Sequence, residues 1–122
     1  MSFIDDNQKD KISEFVRFVK NELGLKECPR IILQNGKGKL KTTANYDYTK
    51  DEKVIRINCK NRAPIDVMRS IAHEMVHHKQ FEDERLKVKP PDIGGKIEDE
   101  ANAKAGQYIK MFGRIDNSIY EL

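Results

Sequence analysis

Pro64-Ile65-Asp66-Val67-Met68-Arg69-Ser70-Ile71-Ala72-His73-Glu74-Met75-Val76-His77-His78-Lys79-Gln80-Phe81 is the stretch on which the reading of this chain turns. Ile65, Met68, Ile71, Ala72, Met75 and Val76 recur at three- and four-residue steps, the spacing of an apolar stripe on a helix. Pro64 suits the first helical position, where its missing N–H costs nothing, and Asp66 places negative charge at the positive end of the helix dipole. The spacing predicts a helix from Pro64 to about Phe81, or further through Glu82-Asp83-Glu84-Arg85, with Pro90-Pro91 as its outer limit.

On such a helix His73 and His77, four residues apart, project from one face and can offer imidazole nitrogens to a single metal ion. Glu74 stands beside them on the helical wheel, where a carboxylate can take a proton from the water that the ion activates. Zinc suits nitrogen and oxygen ligands and leaves a position open, so one Zn2+ per chain is expected. Cobalt, manganese or iron can occupy the same ligand set, and zinc is favoured by the usual chemistry of HExxH.

A catalytic zinc site commonly has three protein ligands. An HExxHxxGxxH extension would need a glycine and a histidine where the chain has Gln80 and Asp83, and His78 points to a different face than His77. Glu98, one loop later on another expected helix, is the third ligand chosen, on a face shared with Ala101 and Asn102. The ~100° step per residue turns Glu100 roughly 160° away, which predicts a solvent-facing side chain. Asn102, one turn beyond Glu98, is a candidate to hydrogen-bond a ligating histidine, with a surface amide as the alternative.

Outward from this centre, Ile12, Phe15, Val16, Val19 and Leu23 mark an N-terminal helix from about Ser2 or Asp6 to Leu23, stopped by Gly24 with Leu25 folding back, and expected to back a sheet. Arg30-Ile31-Ile32-Leu33-Gln34 reads as a strand, and Asn35-Gly36-Lys37-Gly38 as its turn. A hairpin is expected from Ala44–Tyr48 and Val54–Asn58, giving three or four antiparallel strands. Ile97, Ala101, Ala105, Tyr108, Ile109 and Phe112 predict a last helix, opened by Gly94-Gly95 and stopped by Gly113, while the tail from Arg114 receives no role. The fold class that follows is α+β: a backing helix, a small, mostly antiparallel twisted sheet, and two helices carrying the site.

The 122 residues suit one domain, 1–122, with 38% apolar and 35% charged residues. No apolar run approaches the ~18 residues of a membrane span, and the N-terminus lacks a basic and apolar leader, so a cytoplasmic protein with no membrane partner is expected. Cys28 and Cys59 have no CxxC spacing and read as buried thiols, with one disulfide left open. A net charge of +3 is spread along the chain without the dense basic block of a nucleic-acid arm; the alternation Lys37, Lys39, Lys41 reads as a solvated hairpin face.

His73-Glu74-Met75-Val76-His77 followed by Glu98-Asp99-Glu100-Ala101-Asn102 resembles the gluzincin metallopeptidases, whose third zinc ligand is a Glu on a later helix. More narrowly, Val54–Asn58, Ser70–Glu74 and Glu98–Ala103 resemble the minimal gluzincins and the ImmA/IrrE-like peptidases, over roughly the second half of the chain. The resemblance implies His73, His77 and Glu98 as zinc ligands, Glu74 as general base and acid, and Asn102 where thermolysin-like enzymes place an Asp. It also implies an edge strand that pairs with extended peptide or protein substrate, and a Tyr or His at the oxyanion, with Tyr46, Tyr48, Tyr108, Tyr120 and His78 as candidates. Ala103-Lys104-Ala105 departs from the ImmA/IrrE pattern, and no DNA-binding or sensor domain accompanies it, so repressor cleavage is unsupported. Zinc metalloendopeptidase is the resulting expectation. The runner-up is a catalytically weak zinc-containing binding module associated with nucleoprotein, and a third reading, a nucleic-acid-associated peptidase, predicts salt-dependent DNA binding.

Overall fold

A computed structural model of the chain describes residues 4–38, 40, 42–86 and 95–122. In chain order the elements are α1 (Asp6–Leu23), β1 (Arg30–Gln34), β2 (Ala44–Asp47), β3 (Val54–Asn58), α2 (Pro64–Glu82), α3 (Gly95–Ile115) and a short 3₁₀ helix (Asn117–Glu121). The fold is α+β, as expected.

Helix α2 is the hub, because the sheet, α1 and α3 all pack against it. Val67, Met68, Ile71, Ala72, Met75 and Val76 are all buried, a wider apolar surface than one stripe, and this is what an element enclosed on several sides needs. Helix α1 begins with a reciprocal cap: Gln8 N–H donates to Asp5 Oδ1 at 2.8 Å and Asp5 N–H to Gln8 Oε1 at 3.0 Å. It ends where Gly24 takes the left-handed conformation (φ +65°) and Leu25 N–H returns to Lys20 O at 3.1 Å, with Leu25 buried as the accompanying apolar contact. This helix packs chiefly on α2, while Ile12 and Val16 line a shallow pocket with Ile31 and Leu33 of β1. Its aromatic residues reach α3: Phe15 meets Phe112 edge-on at 5.5 Å between ring centroids, and Phe18 meets Tyr108 at 6.4 Å.

The sheet has three strands in the order β1-β3-β2. The expected β2–β3 antiparallel pairing is present, with Tyr46 opposite Ile55, but β1 runs parallel to β3 from Arg30↔Val54 to Gln34↔Asn58. The sheet is therefore mixed rather than mostly antiparallel. The Asn35–Gly38 segment turns the chain as its residue types demand, Gly36 and Gly38 both having positive φ, yet it does not close a hairpin. Local turn chemistry does not specify which strand lies alongside; burial does, and Ile55 and Ile57, fully buried on β3, claim the central position. That leaves β2 as an edge strand.

Other expectations are corrected here. Helix α3 passes through Gly113 to Ile115, because Gly113 lies against the Tyr120 ring, where a β-carbon would collide, rather than in a left-handed cap. The tail is not featureless: Asp116 caps the 3₁₀ helix, Ile119 is buried, and Lys11 Nζ meets Asp116 Oδ2 at 2.5 Å. Cys59 is buried, but Cys28 is exposed in the loop before β1, and both are free thiols. Lys39 and Lys41 of the alternate-lysine reading, and Gly94 and the Pro90-Pro91 pair of the α2–α3 connector, lie outside the described residues. Among the described residues, no helix is long and apolar enough to cross a membrane.

Candidate metal centre

The helical repeat brings His73 and His77 together as expected, with ring centroids 4.7 Å apart and Nε2 atoms 3.2 Å apart. Helix α3 packs alongside α2 and delivers Glu98 to the same point: Oε2 lies 2.6 Å from His77 Nε2 and Oε1 lies 3.4 Å from His73 Nε2. The ligand atoms of His73, His77 and Glu98 all fall within 4.8 Å of one another, a group that can hold a metal ion. Tetrahedral coordination at ~2.0–2.1 Å places ligand atoms about 3.3 Å apart, close to two of these three separations.

The hydrogen bonds behind the ligands test the fit further. Gln80 Nε2 donates to Ile97 O at 3.1 Å and to Glu100 Oε1 at 2.9 Å, so its Oε1 is the acceptor facing His77 Nδ1 at 2.7 Å. His77 therefore carries a hydrogen on Nδ1, and in the neutral ring this leaves the Nε2 lone pair as the atom facing the Glu98 carboxylate. A ring nitrogen and a carboxylate oxygen at that distance need a positive charge between them, a proton in the metal-free protein or a metal ion when one is bound. Two imidazole nitrogens and a carboxylate are donors suited to a borderline divalent ion.

Glu74 lies against this centre and is nearly buried. Loss of solvent first, and the neighbouring Glu98 charge second, push its carboxyl up to about 8. His73 is shifted the other way: burial and His77 disfavour its cation more than Glu98 and the Asn102 side chain favour it, which suits a neutral ligand. Asn102 thus occupies its expected place next to His73, although its own side chain remains exposed.

A cleft of about 540 Å³ opens over these residues, walled by Thr42, Thr43, Ala44 and Asn45 at the β2 edge and by Arg69, Leu86 and Ala105 on the helical side. Tyr46 and Tyr48 also line it, with stacked rings 5.4 Å apart. Of the five oxyanion candidates, Tyr46 and His78 are committed to each other: Tyr46 O–H donates to His78 Nδ1 at 2.6 Å, and His78 Nε2–H donates to Glu27 O at 2.9 Å. Tyr108 and Tyr120 do not line the cleft.

Two residues were misread or missed. Glu100, expected to face solvent, accepts from Gln80 and from Arg85 NH1 at 2.8 Å, and these bonds, against a smaller cost of burial, hold its carboxyl below the usual range. Turning away from Glu98 directs it toward the end of α2, which a helical wheel drawn for one helix does not include. Gln80, noted only as the residue that breaks a longer motif, is wholly buried behind His77. Its signal was available: three residues after a ligand, it shares that ligand's face.

No protein-family model, curated protein or solved structure matches the chain.

Proposed function

We propose that this protein is a zinc-dependent metalloendopeptidase of gluzincin type, hydrolysing peptide bonds in an extended peptide or protein substrate. The observation that carries this reading is a nearly buried carboxylate, Glu74, set against a convergent His-His-Glu donor group in an open cleft. A purely structural metal site has no use for such a carboxylate and is normally closed by a fourth protein ligand, which weighs against the binding-module alternative.

His73, His77 and Glu98 hold the ion. When bound, zinc lowers the pKa of its water to about 7 and polarises the scissile carbonyl. Glu74 accepts a proton from the attacking water as its oxygen adds to the carbonyl carbon, then gives that proton to the departing amine nitrogen as the C–N bond breaks. In the metal-free protein Glu74 retains its own proton to about pH 8; a divalent charge alongside acts in the opposite direction and favours the carboxylate that the first transfer requires. The β2 edge, with its outer backbone groups free of any strand partner among the described residues, supports binding of substrate as an added strand.

The test combines metal content with cleavage of a peptide library. Wild type is expected to bind one zinc per chain and cleave. Glu74→Gln should retain the zinc and lose on the order of 10²–10⁴ of the rate. A wild-type chain that takes up no zinc after incubation with it overturns the reading.

A further inference from the structure

Among the described residues the buried polar side chains are Glu74, His78 and Gln80. Glu74 is accounted for by the proposed chemistry and His78 by its ties to Tyr46 and Glu27. Gln80 has no such account, and it is the most deeply buried of the three, with no exposed surface at all. Burying an amide is costly unless its hydrogen bonds are made, and here they reach across two helices. Oε1 accepts from His77 Nδ1–H on α2, while Nε2 donates to Ile97 O and to Glu100 on α3. Arg85 closes the cluster from outside, its NH1 donating to Glu100 and its backbone N–H to Gln80 O.

We propose that Gln80 is the positioning residue of the metal centre, assembling the three-ligand group before any ion arrives. The proposal rests on the reading of His73, His77 and Glu98 as ligands. Its acceptor end fixes the His77 tautomer, so that the Nε2 lone pair faces the ion. Its donor end grips the carbonyl of Ile97, the residue immediately before Glu98, and so fixes where the third ligand enters. A ligating imidazole commonly has its other N–H held by such an acceptor. What is particular here is that one amide also anchors the helix bearing the third ligand. Only an amide serves both ends: a Glu at position 80 keeps the acceptor for His77 but sets a second carboxylate against Glu100 and Ile97 O, and a Met satisfies neither end.

Nitrogen NMR of the metal-free wild type at neutral pH reads the tautomer directly, without any substitution. The expected signature is a His77 ring with a hydrogen on Nδ1; a neutral ring protonated at Nε2 alone overturns the proposal. Calorimetry with zinc then follows on wild type, Gln80→Met and Gln80→Glu. Gln80→Met is expected to bind 10–100-fold more weakly and to show mixed His77 tautomers. Gln80→Glu should keep the Nδ1-protonated form yet also bind more weakly, because the grip on α3 is lost. If Gln80→Met does not fold, the wild-type tautomer and Gln80→Glu still decide. Zinc binding by both variants within twofold of wild type overturns the role of Gln80 and leaves the metal site standing. Failure of the wild type itself to bind zinc removes the metal reading, and this role with it.

Discussion

His77 and His78 are neighbours in the chain and have opposite fates. His77 sits on the cleft side of α2, where Gln80 occupies one ring nitrogen and the other meets Glu98. His78, one ~100° step around the helix, is turned into the protein and bonded through both nitrogens, to Tyr46 on one side and to Glu27 O and Glu82 on the other. Glu82 in turn accepts from Lys26 N–H and Glu27 N–H, both at 3.0 Å, so His78 helps fasten β2 and the loop after α1 to the end of α2. The same side chain is a candidate ligand where its environment leaves one ring nitrogen directed at other donors. It is a structural pin where every nitrogen is already paired.

That contrast predicts a separation of function from stability. The largest effect belongs to His77→Ala: loss of zinc from the purified chain and at least about a 10³-fold fall in peptide hydrolysis, while the metal-free protein loses only about 1 kcal/mol, because the space left opens on the cleft and lets water reach Gln80 Oε1. Metal analysis, a cleavage assay and urea unfolding under chelator check the three parts. His78→Ala should do the reverse, lowering stability by about 3 kcal/mol because Tyr46 O–H and the Glu82 carboxylate lose a buried partner, with zinc per chain unchanged in the fraction that folds. If His78→Ala removes the metal without destabilising the fold, or His77→Ala destabilises as much as His78→Ala, the division between the two faces fails.

The smallest effect lies outside the cleft, after the end of α3. Lys11 first, and Ser118 second, pull the Asp116 carboxyl down to about 2 from its ordinary 3.8. A carboxylate with a depressed folded-state pKa stabilises the fold above its unfolded value and loses that contribution as the pH falls through its folded value. Asp116→Asn should therefore be slightly less stable than wild type at pH 5, with the difference gone below about pH 2 and zinc binding at neutral pH unaffected. Because Lys11 and Asp116 are in contact with solvent, added salt should shrink the difference. An Asp116→Asn penalty that persists at pH 2 would show the tie to be something other than charge.

Much of this architecture was legible from spacing. Pro64 and the apolar repeat mark the extent of α2, Gly24 and Leu25 close α1, and the place of Glu98 on a following helix makes it a candidate ligand, all of which are local patterns. Less legible was whatever depends on which segments become neighbours. The parallel register of β1 on β3 needs a crossover that no turn residue encodes. Gly113 is a helix stop by composition, yet the 3₁₀ helix folds back and sets Tyr120 against it. Glu100 is a surface residue on its own helix, and becomes a partner of Gln80 and Arg85 only when α2 and α3 pack together.

Residue spacing alone carries the chemistry available, two imidazoles one turn apart with a carboxylate beside them, because a fixed helical pitch converts spacing directly into direction. Tertiary structure decided how that chemistry is held. The tautomer of His77, the approach of Glu98, the burial of Glu74 and the pairing of His78 are all set by contacts between residues distant in the chain, and hydrogen bonding and desolvation act on what is near in space.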